Sequence, residues 1–290
     1  MKHQSVIWSI TGIAVLVAGI VVTVREVRAP APELEALNTP IQSLVGSLSR
    51  QQTDMVVETM KACIDKDPQA RRDNTRSLVE AVAGLAESGD LETAEAYYAL
   101  GLRLSGQQHY EEAEAAYRRA IDLRPDWNWG HSALGILLQT LGRMDEAEVA
   151  FRKAVELDPS WSRAHNDLAI LLRLTGRYNE AETEARKSLE LDPDSIAANN
   201  NYGNVLVALG RFDEAEAAYR KAIVSEPDHP APFFNLACLA CLRGRRDEVV
   251  PLLLCAITFD DAYLEQARKD PDLDSMRDDP VFRKLVGADT

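Results

Sequence analysis

Four groups of residues have types and spacing that could carry chemistry. Cys238 and Cys241 stand in a C-x2-C spacing, half of a zinc centre. A tetrahedral site needs two more ligands, and Cys63 and Cys255 offer no matching pair. Asp270, Asp272 and Asp274 alternate like the opening of a calcium loop. Such a loop also needs Gly at its sixth position and Glu at its twelfth, where Ser275 and Val281 stand. His131 and His165 are 34 residues apart, with no carboxylate or Cys at ligand spacing. These three groups are read as packing and helix-capping residues. The fourth group is amides: Asn200, Asn201 and Asn204, with Asn166 a repeat length before Asn200 and Asn235 a repeat length after Asn201. An amide both donates and accepts, so a row of them can bracket an extended peptide backbone. A solvated polar face is the competing reading. Nucleophile elbow, phosphate loop and HExxH motifs are absent from the sequence. No catalytic residue, cofactor or metal is expected, and the chain is not expected to be an enzyme.

The elements that position these residues follow from a single period. Pro125, Pro159, Pro193 and Pro227 recur every 34 residues, and such a period implies a solenoid. Leu100, Leu134, Leu168, Tyr202 and Leu236 keep the same register, each followed by a small residue: Gly101, Gly135, Ala169, Gly203, Ala237. Ala113, Ala147, Ala181 and Ala215 form a third column, and Tyr117, Phe151 and Tyr219 a fourth, where Ala185 and Leu253 also fall. Gly142, Gly176, Gly210 and Gly244 mark a turn between two helices. Small residues let paired helices approach, larger ones fill the space, and the prolines are expected to end one helix and enter the first turn of the next. A lone pair cannot bury its apolar face, so neighbours must stack.

These columns resemble the tetratricopeptide repeat (TPR) family. The resemblance implies an all-α, right-handed superhelix of five repeats, 94–127, 128–161, 162–195, 196–229 and 230–263. First helices would line a concave groove that takes a protein or peptide. It places Trp129, Arg163, Asn166, Arg173, Asn200, Asn201, Asn204 and Asn235 as candidate partner-binding residues. The asparagines are similar to a ladder seen in some TPR grooves, interrupted here by Asp167, Ala133 and Ala99. The Lys and Arg of a carboxylate clamp are lacking, so an acidic C-terminal tail is not the expected ligand.

Residues 48–93 read as a degenerate helix pair and 264–290 as a C-terminal helical cap. In the cap, Asp270-Pro271 and Asp279-Pro280 each supply an N-cap and a first helical residue. Ser5 to Val24 is free of charge and long enough, as a helix, to cross a bilayer core of about 30 Å. Residues 1–28 are therefore expected to be a single-pass transmembrane anchor in contact with lipid through 5–24. A cleaved signal peptide is the runner-up. Lys2 opposes Arg25 and Arg28, so the side on which the repeats lie stays open. A Pro/Ala linker, 29–47, follows. The formal net charge of −14 argues against a sequence-independent grip on nucleic acid. A membrane-held scaffold is the expected function, with a structural assembly factor of an envelope or secretion complex as the alternative.

Overall fold

The computed structural model describes residues 14–17, 20–23, 83–84, 87 and 92–287. The chain divides into two compact units, Met1–Leu137 and Leu138–Thr290. Within the apolar run 5–24 the described backbone is an antiparallel hairpin, β1 (Ala14–Val17) and β2 (Ile20–Thr23), with Ala14 opposite Thr23. The expected continuous helix is not found there. Val15, Val17, Ile20, Val21, Val22 and Thr23 are β-branched and fit a strand better than a helix in the absence of lipid. No helix among the described residues is long and apolar enough to cross a membrane. The linker and most of the degenerate pair lie outside the described residues. From that pair, Ala83 is buried, and Glu87 forms an ion pair of 2.6 Å with Arg103.

The first unit contains α1 (Ala94–Gly106) and α2 (Tyr110–Leu123), and α3 (Asn128–Thr140) begins in it. Thr93 caps α1 by accepting from the Ala96 N–H at 3.2 Å. On α2, Ala113, Ala116, Tyr117 and Ala120 form one buried stripe at helical spacing. Gly101 of α1 meets the Tyr117 ring, and an added Cβ would lie 2.5 Å from Cδ1.

The second unit holds α4 (Met144–Leu157), α5 (Ser162–Leu174), α6 (Tyr178–Leu191), α7 (Ile196–Ala208), α8 (Phe212–Ser225), α9 (Pro230–Leu242) and α10 (Arg246–Phe259). α5 packs on α6, α7 on α8 and α9 on α10, while α5, α7 and α9 also lie side by side. Three shorter segments follow: α11 (Ala262–Lys269), a 3-10 helix (Pro271–Met276) and α12 (Pro280–Val286). Asp270 caps the 3-10 helix through the Asp272 N–H, and Asp279 caps α12 through Val281 and Phe282. Leu273, Met276 and Phe282 are fully buried against Phe234, Leu253 and Ala256 of the last pair.

Turns inside the helix pairs share one closure. Gly176 takes a φ of 78°, its N–H reaches Arg173 O, and the Arg177 N–H reaches Leu172 O at 2.8 Å. Gly142, Gly210 and Gly244 adopt the same left-handed conformation. In the first pair the position is Gln108, at φ 64°. A side chain there costs about 1–2 kcal/mol, offset in part by the greater unfolded-state freedom of glycine. Gln108→Gly is expected to raise the melting temperature slightly, and a thermal unfolding curve checks it.

The prolines differ from expectation. Pro159 and Pro193 stand in the turns between repeats, ahead of α5 and α7; among the described residues the prolines that enter a first turn are Pro230 and Pro232 of α9 and the cap prolines Pro271 and Pro280. Their fixed φ still blocks helix continuation, but their carbonyls carry a second role. His165 Nε2 donates to Pro159 O at 3.1 Å, His131 Nε2 to Pro125 O at 3.0 Å, and Asn199 Nδ2 to Pro193 O at 2.9 Å. The repeat column of His131 and His165 therefore ties down the incoming turn.

A periodic ion-pair row escaped the sequence reading. Arg177, just before α6, donates to Glu180 of its own helix and, at 2.6 Å, to Glu148 on α4. Arg211 repeats this with Glu214 and Glu182, and Arg245 donates to Glu216 at 2.8 Å. Each arginine thus links successive second helices. Arg177 holds the Glu180 carboxyl below its ordinary value, and Arg211 does the same for Glu214. Burial pushes the Glu148 carboxyl up, but its bonds to Arg177 and Arg152 outweigh this and lower it. Depressed carboxylates contribute stability above their unfolded value of 4.5 and lose it as pH falls below that. His165 runs the other way. Its Nδ1 bond to Glu184 at 2.7 Å raises it above 6.5, so its contribution is present below 6.5 and is lost as pH rises through the raised value. Melting temperature should therefore fall on both sides of a mildly acidic maximum. His165→Asn keeps a donor for the carbonyl, as Asn199 does, and should flatten the alkaline limb only.

Candidate functional site

The face shared by α5, α7 and α9 carries the asparagines, and the structure pairs them across helices. Asn201 Nδ2 on α7 donates to Asn166 Oδ1 on α5 at 3.0 Å. Asn235 Nδ2 on α9 donates to Asn200 Oδ1 on α7 at 2.8 Å. Both pairs span 35 residues, so adjacent repeats place the same two columns in contact. Asn166 is only 8% exposed, which corrects the picture of a simply solvated row. Each bond uses one N–H of the donor and one lone pair of the acceptor. Asn201 and Asn235 keep a second N–H and a carbonyl oxygen, and Asn166 and Asn200 keep both N–H groups. The amides are thus held in fixed orientation with capacity left over.

Asn204 lies one turn along α7 from Asn200. Its Oδ1 accepts from the Tyr219 hydroxyl of α8 at 2.8 Å, leaving its own N–H groups uncommitted. Burial pushes the Tyr219 hydroxyl well above its ordinary range, so it acts as a donor at any physiological pH. Arg163 is exposed at the start of α5 and lies 3.7 Å from Asp167. Arg173 is half-buried near the end of α5, makes no ion pair among the described residues, and its charge acts on the Tyr219 hydroxyl.

Trp129 belongs to the first unit and is described there alone. It sits half-buried in an aromatic group centred on Tyr98, whose ring lies 5.1 Å from Trp127, 6.0 Å from Tyr117 and 6.5 Å from Trp129. Part of its surface is consumed by packing.

Beyond Asn235 on α9 come the cysteines. Cys238 and Cys241 are buried, and the 3-10 helix packs across them. Cys241 Sγ lies 3.0 Å from Ser275 Oγ. Cys238 Sγ and the carboxylate oxygens of Asp270 and Asp272 all lie within 4.8 Å of one another. Burial first, then the two aspartates, push the Cys238 thiol above its ordinary range. The sequence treats the C-x2-C and the alternating aspartates as separate motifs; the fold brings one member of the first to two of the second. Nothing in the spacing predicts this, because it depends on the tail turning back over α9.

Family models of the tetratricopeptide repeat match residues 94–127, 129–194 and 172–237. None of the curated proteins matches the chain. Solved structures similar to it include PilW, a widely conserved type IV pilus biogenesis factor, at 22% identity and a TM-score of 0.56, covering 67% of this chain and 86% of that one. TTC0263, a TPR protein of Thermus thermophilus, is 23% identical with a TM-score of 0.53, covering 67% and 98%. Pseudomonas aeruginosa pilF is 19% identical with a TM-score of 0.53, covering 71% and 100%. At these identities the likeness speaks to the fold. With the paired helices, the left-handed glycine turns and the family matches in agreement, residues 94–237 are similar to tetratricopeptide repeats, and the described residues 92–287 have the all-α helix-pair fold of such repeats.

Proposed function

We propose that the chain is a binding scaffold that holds an extended peptide segment of a protein partner along the face of α5, α7 and α9. The observation that carries this is the pair of asparagine bonds, Asn201 to Asn166 and Asn235 to Asn200, in register on adjacent helices. A peptide backbone presents alternating donors and acceptors, and the spare N–H and C=O groups of these amides match both kinds. Asn204, Arg163 and Arg173 extend the polar lining within the second unit, and Trp129 offers a separate anchor in the first. The run from 5 to 24 supplies attachment to a bilayer. In lipid every backbone group needs an internal partner, so a two-stranded hairpin with open edges would convert to a helix on insertion. Alkaline carbonate extraction should leave the full-length protein in the membrane pellet; release into the supernatant defeats the attachment.

Replacing Asn201 and Asn235 together by Ala tests the binding face. Each amide contributes about 0.5–1.5 kcal/mol net, and more where its loss strands a buried group. Capture of the co-purifying partner from detergent-solubilised membranes should weaken about tenfold, since 1.4 kcal/mol is a factor of ten. The two interhelical bonds are lost as well, so the variant's melting curve accompanies the binding measurement. Undiminished capture would remove this face from consideration. A second reading, assembly by the outer surface of the second helices, draws on Val149 and Val224, which are 70% and 80% exposed. They share no repeat column and so make no continuous patch.

A further inference from the structure

We propose that Cys238, Asp270 and Asp272 form a binding site for a thiophilic divalent cation, with Zn2+ the ion that fits. The three ligand atoms come from two elements that are distant in sequence, α9 and the turn into the 3-10 helix, and lie within 4.8 Å of one another. Cys238 is 7% exposed, and among the described residues its Sγ has no side-chain hydrogen-bond partner, only its own main-chain N–H. Its thiol points at two carboxylates, and a buried polar group without a partner costs free energy. Neither Asp270 nor Asp272 forms an ion pair with Lys, Arg or His among the described residues. Asp270 spends one oxygen on the Asp272 N–H and keeps the other. The guanidinium of Arg277, which could have neutralised them, is committed elsewhere: it donates to the carbonyls of Ala267 and Asp270 and lies against the Phe282 ring. Two carboxylates and a thiol therefore converge with no direct ion pair to either carboxylate among the described residues; the Arg277 guanidinium meets the main-chain carbonyl of Asp270 at 2.9 Å, not its carboxylate.

The thiol decides between kinds of cation. A Lys or Arg side chain would satisfy the carboxylates but gain nothing from a buried sulfur. Ca2+ and Mg2+ prefer all-oxygen shells. Zn2+ accepts one sulfur with two oxygens. A tetrahedral ion with bonds of about 2.3 Å to sulfur and about 2.1 Å to oxygen needs ligand atoms about 3.6 Å apart. The exposed Asp272 can close the remaining gap by changing rotamer. On binding, the S–H bond breaks, an S–Zn bond forms, and the proton passes to solvent. Three protein ligands leave a fourth position for water or a partner group. Cys238 follows Asn235 by three residues on α9 and so shares its face, next to the asparagine row.

The test uses the full-length protein in detergent, stripped with a chelator and dialysed. Titration with Zn2+ alone, read by equilibrium dialysis, should show one ion per chain. Co2+ in its place should give a thiolate-to-cobalt charge-transfer band in the near ultraviolet. Cys238→Ser should abolish the band and weaken Zn2+ at least tenfold, and Asp272→Asn should weaken both. Cys241→Ser, which touches Ser275 instead, should keep both. Helical circular dichroism confirms that each variant is folded. Should Cys238→Ser unfold, Asp272→Asn decides alone, because its side chain is exposed. Absence of stoichiometric Zn2+, or Zn2+ retained by Cys238→Ser, overturns the proposal. So does a Lys-rich peptide whose binding is lost in Asp270→Asn and Asp272→Asn while Zn2+ does not bind.

Discussion

Gly203→Ala should lower the melting temperature by several degrees although it adds one methyl group. A Cβ at Gly203 would overlap the Tyr219 ring, 2.7 Å from Cδ1. The ring cannot retreat: it is 2% exposed, and its hydroxyl is tied to Asn204. Overpacking of this kind costs about 1–3 kcal/mol, and the upper end is expected because the obstacle is a rigid ring. Each kcal/mol corresponds to about 2–4 °C for a domain of this size. The preceding pair shows the way out, with Ala169 on α5 where α6 carries Ala185 in the aromatic column. In a Tyr219→Ala background, Gly203→Ala should therefore cost almost nothing. Urea unfolding of the four proteins of the double-mutant cycle measures this, and simple additivity of the two changes contradicts it.

Phe282→Ala should destabilise the C-terminal end by about 3–5 kcal/mol, the range for deleting a buried aromatic side chain. Phe282 is fully buried in one cluster with Phe234, Leu253, Leu273 and Met276. Arg277, 5.5 Å above the ring, loses its cation–π partner too. The damage should be local, since α5 and α6 lie outside that cluster. Hydrogen exchange should report faster opening of α9 and α10 with little change in α5 and α6. Val281→Ala is the control: its side chain is 60% exposed and should matter by less than about 0.5 kcal/mol. Equal loss of protection along the whole second unit would mean that the tail stabilises more than the pair it covers.

The helix pairs could be read from residues because their signals are local and repeated. The Tyr202-Gly203 step in α7, which stands in the Leu-small column, and Ala-x3-Tyr in α8 are separated only by a turn that Gly210 closes. The site was legible in part. The asparagine columns follow from period alone, but the mutual bonds of Asn166 with Asn201 depend on how far adjacent helices are rotated, which the period leaves open. The arginine row was missed for the opposite reason. Arg177, Arg211 and Arg245 keep perfect register, but charged residues at helix starts read as solvated, and only the stacked helices show that Glu148, Glu182 and Glu216 lie within reach. Burial of Cys238 against Asp270 and Asp272 depends on the tail folding back, a non-local event with no counterpart in spacing. In the apolar run the pattern was clear, yet the same Val and Ile residues serve a strand or a lipid-facing helix, and the solvent decides between them.

The match between Gly203 and Tyr219 also governs how such an array can be rearranged by recombination. Glycine in one helix is needed because of the aromatic in the next, so the two form an inherited couple. Crossovers at the proline turns, such as those at Pro193 and Pro227, would move complete couples and leave each fit intact. Crossovers at Gly176 or Gly210 would join the first helix of one repeat to the second helix of another. Placing the α8 sequence after α5 would bring a tyrosine against Ala169, in the column where glycine stands opposite Tyr117 and Tyr219. Duplicated or shuffled descendants of this chain should therefore carry their joints at the prolines.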